Sequence, residues 1–140
     1  MRITICGSMH FSKEMLKTQQ ELQRLGHEVT VPSDAQIIAE GKHDIADKEA
    51  NVRHCREKDI LRTDFGKVAR SDGILVLNHR KKGIDGYVGG NTLIEIGLAY
   101  YLGKKIFLLN PQPHDGDLSY AHEIEIMQPV VINGDLKKIK

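Results

Sequence analysis

The chain has 140 residues and a formal net charge of +1, with 40% hydrophobic and 28% charged residues. This is the length and composition of one globular domain, residues 1–140, too apolar for intrinsic disorder and large enough for a core without disulfides or metal. A near-neutral balance with scattered Lys and Arg excludes a field that gathers polymeric nucleic acid or acidic membrane, and no apolar run approaches the ~20 residues of a membrane helix.

Trp is absent and aromatics are 5%, which argues against stacking platforms for single strands. Cys6 and Cys55 lie in different kinds of segment and show no metal spacing. With no signal-peptide pattern, the simplest reading is a cytoplasmic protein with free thiols.

"RITIC" (residues 2–6) is a short buried-strand pattern. After "GSMHF", Ser12 is placed to cap a helix over "KEMLKTQQELQRLG", with Met15, Leu16, Leu22 and Leu25 at helical spacing and Gly26 as the stop. "HEVTVP" (27–32) is a second strand closed by Pro32. Residues 35–70 begin polar and become helical in pattern, with Ile60, Leu61, Phe65 and Val68 as the expected buried stripe. The charged stretch Gly41 to Asn51 reads either as a lid or as a solvated helix face. "DGILVLN" (72–78) is a third strand, apolar on both faces, followed by a loop rich in glycine and charge over 79–91. A helix is expected over 92–102 with Gly103 as its stop, then a fourth strand at "KKIFLLN" (104–110). "SYAHEIEIMQ" should be a helix and "VVIN" (130–133) a fifth strand.

Strands alternating with helices imply an α/β three-layer sandwich around a parallel sheet. The expected topology is flavodoxin-like, five strands in the order 2-1-3-4-5, with a Rossmann-type order as the rival. In either, ligands bind beyond the carboxyl ends of the strands. That rule gathers "GS" after the first strand, the 79–91 loop, and the helix start that carries Glu95.

Glu95 has two readings. "TLIE" fits a capping box, with Thr92 at the N-cap and Glu95 reaching back to the Thr92 N–H, a placement the helix dipole also favours. Alternatively, Gly89 and Gly90 let backbone approach a ligand, and a partly desolvated Glu95 beside it acts as nucleophile or cation stabiliser. A cap can also hold a nucleophile in place.

"CGS" after the first strand, Asp64 and Asp72 before and in "DGILVL", and "GNTLIEIGLAYYLGKKIFLL" resemble the nucleoside 2-deoxyribosyltransferase superfamily, which includes deoxynucleoside monophosphate N-glycosidases. The resemblance runs from the first strand to the fourth. It implies that Glu95 attacks the anomeric carbon to form a glycosyl ester, that the base leaves, and that water or a second base completes hydrolysis or transfer. Asp64 would orient the sugar and assist proton transfer to the base. Gly7 and Ser8, with Met9 and His10 beyond them, would line the sugar or phosphate site, and Asn78, Gly89, Gly90, Asn91 and Thr92 complete the expected binding set. The implied partners are a small nucleoside or nucleotide and a second copy of the chain, since family members usually share a residue across subunits. Tyr100–Tyr101, the helix 119–127 and the region of Phe65 are interface candidates. A carboxylate pair suits an oxocarbenium-like transition state, provided their environments differ.

The chain departs from the monophosphate N-glycosidases in two places. Thr4 stands where they carry a tyrosine in the first strand, and Met9, His10 and Phe11 stand where they carry Ile-Arg-Gly. His10, or Arg80 with Lys81 and Lys82, are the replacement phosphate contacts on offer. Asp72 opens a strand and reads better as a structural bridge.

None of the seven histidines forms a short paired motif with a carboxylate, so no catalytic metal is expected, and no cofactor motif is present. A P-loop and a dinucleotide fingerprint are both absent. Cys55, in a charged helical stretch with no obvious base, reads as inert. Two functions compete with the glycosidase: a non-catalytic nucleotide-binding or sensor domain of the same fold, and a phosphoribohydrolase of the cytokinin-activating type. The second has a similar glycine turn, but "GGNTLIE" is one residue short of its spacing.

Overall fold

The computed structural model describes all 140 residues. Five parallel strands form one sheet in the order β2-β1-β3-β4-β5, the order expected from the sequence. They are β1 (Arg2–Cys6), β2 (Glu28–Thr30), β3 (Gly73–Val76), β4 (Lys105–Leu108) and β5 (Val130–Val131). Each parallel step requires a crossover, and helices supply them. These are α1 (Ser12–Arg24), α2 (Ala35–Ala39), α3 (Lys48–Glu57), α4 (Ile60–Arg70), α5 (Gly90–Tyr101) and α6 (Ala121–Ile126). No helix is long and apolar enough to cross a membrane.

The period-2 alternation of each strand feeds two cores. Ile3, Ile5, Leu75, Leu77 and Phe107 pack with Met15 and Leu22 of α1 on one face. Cys6, Ile74, Val76, Ile106 and Leu108 pack with Val68 of α4, Ile96 and Ala99 of α5 and Ile124 of α6 on the other. Each fully buried Ile or Leu contributes about 1.5–3 kcal/mol, so the central strands, apolar on both faces, anchor the molecule.

Several local expectations change. Ser12 is buried and does not cap α1; Ser8 instead caps a 3-10 turn over Met9–Phe11 that leads into the helix. Residues 35–70 resolve into α2, α3 and α4, with Asp59 left-handed at φ 50° between the last two. The expected stripe on α4 is rotated. Only Val68 of its four members is buried, because Asp64 takes the inward position one turn earlier. The 79–91 loop is ordered by a tight approach at Gly86 (φ +70°), where a Cβ would collide with the Pro111 carbonyl. Val88 then enters the core, and the Tyr120 hydroxyl donates to its carbonyl.

Asp72 is the structural bridge anticipated for it. Its carboxylate accepts from the Arg2 backbone N–H at 2.7 Å and from the Arg2 guanidinium at 3.0 Å, at the amino edge of the sheet. Thr4 faces inward. Its hydroxyl lies 2.5 Å from Ser71 Oγ, 2.7 Å from Thr30 Oγ1 and 3.2 Å from the Lys67 carbonyl.

Candidate active site

A cavity of about 490 Å³ opens at the carboxyl edge of β1, β2 and β3. Gly7, Ser8, Met9 and His10 line it from the turn after β1. A Cβ at Gly7 would stand 3.2 Å from the Leu77 carbonyl, so the turn runs close against the end of β3. Gly89, Gly90, Asn91, Thr92 and Glu95 line it from the start of α5, and Asp64 from α4. The segment from α2 to α3 closes the remaining side with Ile38, Ile45, Asn51, Val52 and Cys55. A shallower depression of about 630 Å³ lies along α3, but its wall is one charged helix flank (Lys48, Glu49, Val52, Arg53, Arg56, Glu57) and it gathers no convergent groups.

Ten of the eleven residues expected from the sequence thus share one wall. Asn78 does not. It is fully buried and ties the end of β3 to the chain after β4, donating to the carbonyls of Asn110 and Pro111 and accepting from the Asn110 N–H. Its amide is spent on backbone that two strand ends leave unpaired.

Glu95 does not form the capping box. α5 begins at Gly90, with Gly89 at the N-cap and no side-chain cap, so Glu95 falls in the second turn. It is only 4% exposed, and Asn91 Nδ2 donates to its Oε1 at 3.0 Å. Burial pushes its carboxyl up to about 7; the negative charge of Asp64 pushes the same way, while the neighbouring Cys6 thiol and the Lys67 ammonium pull it back. Burial and the same carboxylate push the Cys6 thiol well up, so Cys6 stays a thiol.

Asp64 has different company. Its Oδ1 accepts from Ser33 N–H at 3.0 Å and Ser33 Oγ at 2.6 Å, and the Lys67 ammonium stands 3.2 Å away. Lys67 is itself held by the Val31 carbonyl at 2.9 Å and Ser33 Oγ at 3.0 Å. Every protein donor converges on one oxygen, so Oδ2 is left for a ligand.

At the opposite rim the Lys81 ammonium donates to Ser8 Oγ at 2.8 Å and to His10 Nδ1 at 2.9 Å. Partial burial and the adjacent Lys82 hold Lys81 below its ordinary range; burial, Lys81 and Lys82 do the same to His10. Three donors and an excess of positive charge meet with no carboxylate among them.

The site rests on a known scaffold. Among solved structures the chain is similar to the CMP N-glycosidase BcmB of Clostridium botulinum, at 16% identity and a TM-score of 0.51, across 98% of this chain and 93% of that one. The chain shares the fold of a nucleotide N-glycosidase. No family model matches the chain, and no curated protein matches it.

Lys81, named from the sequence among the replacement phosphate contacts, does line the cavity, whereas Tyr87, Pro32 and Ile38 of the wall were not singled out as site residues. Cys55 does reach the cavity, but burial and the charges of Asp34 and Asp64 raise its thiol, which suits an unreactive group.

Proposed function

We propose that the protein cleaves the N-glycosidic bond of a nucleoside 5′-monophosphate, with Glu95 as nucleophile and Asp64 as the group that orients the sugar and assists the departing base. The observation that carries this reading is the convergence, on one cavity, of two buried carboxylates in unlike surroundings and an anion-ready cluster of Ser8, His10 and Lys81. The phosphate takes that cluster, with the uncapped first turn of α5 nearby. The sugar then lies over Glu95. As the bond to the base breaks, positive charge grows on the anomeric carbon, and Glu95 gains the counter-charge that burial denies it in the empty cavity. Collapse forms the glycosyl ester, and water or a second base resolves it. The neighbour's printed activity, CMP N-glycosidase, agrees with the class of bond. The base and the 2′ position are left to experiment.

One observation favours a second reading, a nucleotide-binding domain without chemistry: Thr4 spends its hydroxyl inside the core and puts no phenol into the cavity. We extend the first reading to a cytoplasmic homodimer, in keeping with two free thiols and with Ile94, Tyr100 and Tyr101 lying exposed along α5. Light scattering reads the oligomer directly.

The deciding experiment is base release by chromatography from a panel of ribo- and deoxynucleosides and their monophosphates, with and without an acceptor base. Release from a monophosphate that vanishes in Glu95→Gln supports the glycosidase. Saturable binding with no release from any substrate supports the second reading.

A further inference from the structure

Behind the α2–α3 wall, three side chains far apart in sequence come together. Asp34, in the turn before α2, is almost buried; His43 precedes α3; His54 lies on α3. His54 Nε2 straddles both carboxylate oxygens of Asp34, at 3.1 and 3.0 Å. The two imidazole rings lie 4.4 Å apart at 35°. One ligand atom from each of the three residues falls within 4.8 Å of the others.

We propose that Asp34, His43 and His54 bind a divalent cation of the zinc type. Two imidazoles and a carboxylate are a donor set suited to such an ion, with a fourth position left for water. Tetrahedral zinc bonds nitrogen and oxygen at about 2.0–2.2 Å, which sets its donors about 3.4 Å apart. The His54–Asp34 pair already stands within a few tenths of an ångström of that spacing, and a side-chain shift of at most about 1.4 Å at His43 closes the rest. The outer shell is also in place. His43 Nε2 lies 2.9 Å from Asn51 Oδ1, and with Nε2 as the donor there Nδ1 keeps the lone pair an ion would take. In the metal-free chain His54 Nε2 meets the Asp34 carboxylate directly, in the place the cation would take.

The site joins the turn after β2 to the segment that walls the cavity. Asp34, Asn51 and Cys55 line that cavity, whereas His43 and His54 stand outside it. The ion therefore ties the turn after β2 to the wall of the cavity.

The test uses the full chain stripped with chelator and titrated with ZnCl2 by calorimetry, and separately with CoCl2 by visible absorption. The expected result is one ion per chain with Kd near or below about 1 µM. His43→Gln and His54→Gln each weaken it by about 100-fold or more, and Asn51→Ala by about 10-fold. His27→Gln changes nothing. Circular dichroism checks that each variant is folded. The wild-type Co2+ spectrum needs no variant: intense tetrahedral bands support the site, and the weak bands of octahedral cobalt overturn it. Absence of saturable one-to-one zinc binding, or binding unaltered in the folded His43→Gln/His54→Gln variant, overturns it equally.

Discussion

The α4 and α5 sides of the cavity each present one carboxylate, and the two are held in opposite ways. Asp64 on α4 is wrapped by Ser33 and Lys67, with its donors fixed by backbone after β2. Glu95 on α5 has one amide donor and the weak thiol of Cys6 beside it and is otherwise buried against the sheet, so its ionisation is displaced to about 7. An acid surrounded by donors is positioned, whereas an acid starved of them is poised to respond when positive charge appears beside it. Two carboxylates from adjacent helices thus acquire unlike surroundings, which the proposed division of roles requires.

The largest expected effect breaks the α5 side. Glu95→Gln removes the proposed nucleophile and should lower base release by about 10⁴-fold or more, measured as single-turnover rate. Asp64→Asn should cost about 10²–10⁴-fold, the usual range for proton-transfer assistance. The pH profile sharpens the assignment. If Glu95 reacts as the carboxylate, kcat/KM rises with pH through about 7. A profile that instead falls through that value makes Glu95 the proton donor and exchanges the two roles.

The same displacement has a consequence for stability. The Glu95 carboxyl is raised in the fold from 4.5 to about 7. Folding therefore favours its protonated form, and that contribution is complete below 4.5 and lost as pH climbs through 7. The loss is on the order of 3 kcal/mol for a shift of this size. Glu95→Gln, which cannot ionise, should unfold at higher temperature than wild type at pH 8 and at nearly the same temperature at pH 4. Calorimetric scans at the two pH values read this directly. A variant no more stable than wild type at pH 8 would show that water or a partner relieves the burial of Glu95.

How much of this was legible beforehand follows from the physics of each segment. Strands buried on both faces announce themselves as short apolar runs, which is why "RITIC" and "DGILVLN" led to the sheet order, and the carboxyl-edge rule then placed most of the cavity wall. "TLIE" misled because a capping pattern is local, whereas the start of α5 was decided by the close turn at Gly86 and the burial of Val88. Asn78 misled because a polar residue at a strand end serves backbone as readily as ligand. The segment from α2 to α3 carries little apolar periodicity, so neither its helices nor the meeting of Asp34, His43 and His54 left a readable spacing.

The smallest effects concern the rim opposite the two acids. Lys81→Ala should raise KM for a nucleoside monophosphate by about 10-fold or more, the worth of one charge-assisted hydrogen bond, and leave the parent nucleoside unaffected. The finer probe is His10. In the empty site burial and two lysines hold its imidazole below the ordinary value. A bound phosphate reverses the sign of the local field, so its pKa should rise on adding a non-hydrolysable nucleotide, followed by NMR titration of the ring protons. The direction matters more than the size. An upward shift places the anion beside Ser8 and Lys81. An unmoved His10 alongside measurable nucleotide binding would transfer the phosphate to the first turn of α5, on the Glu95 side, and leave the rim cluster without a ligand.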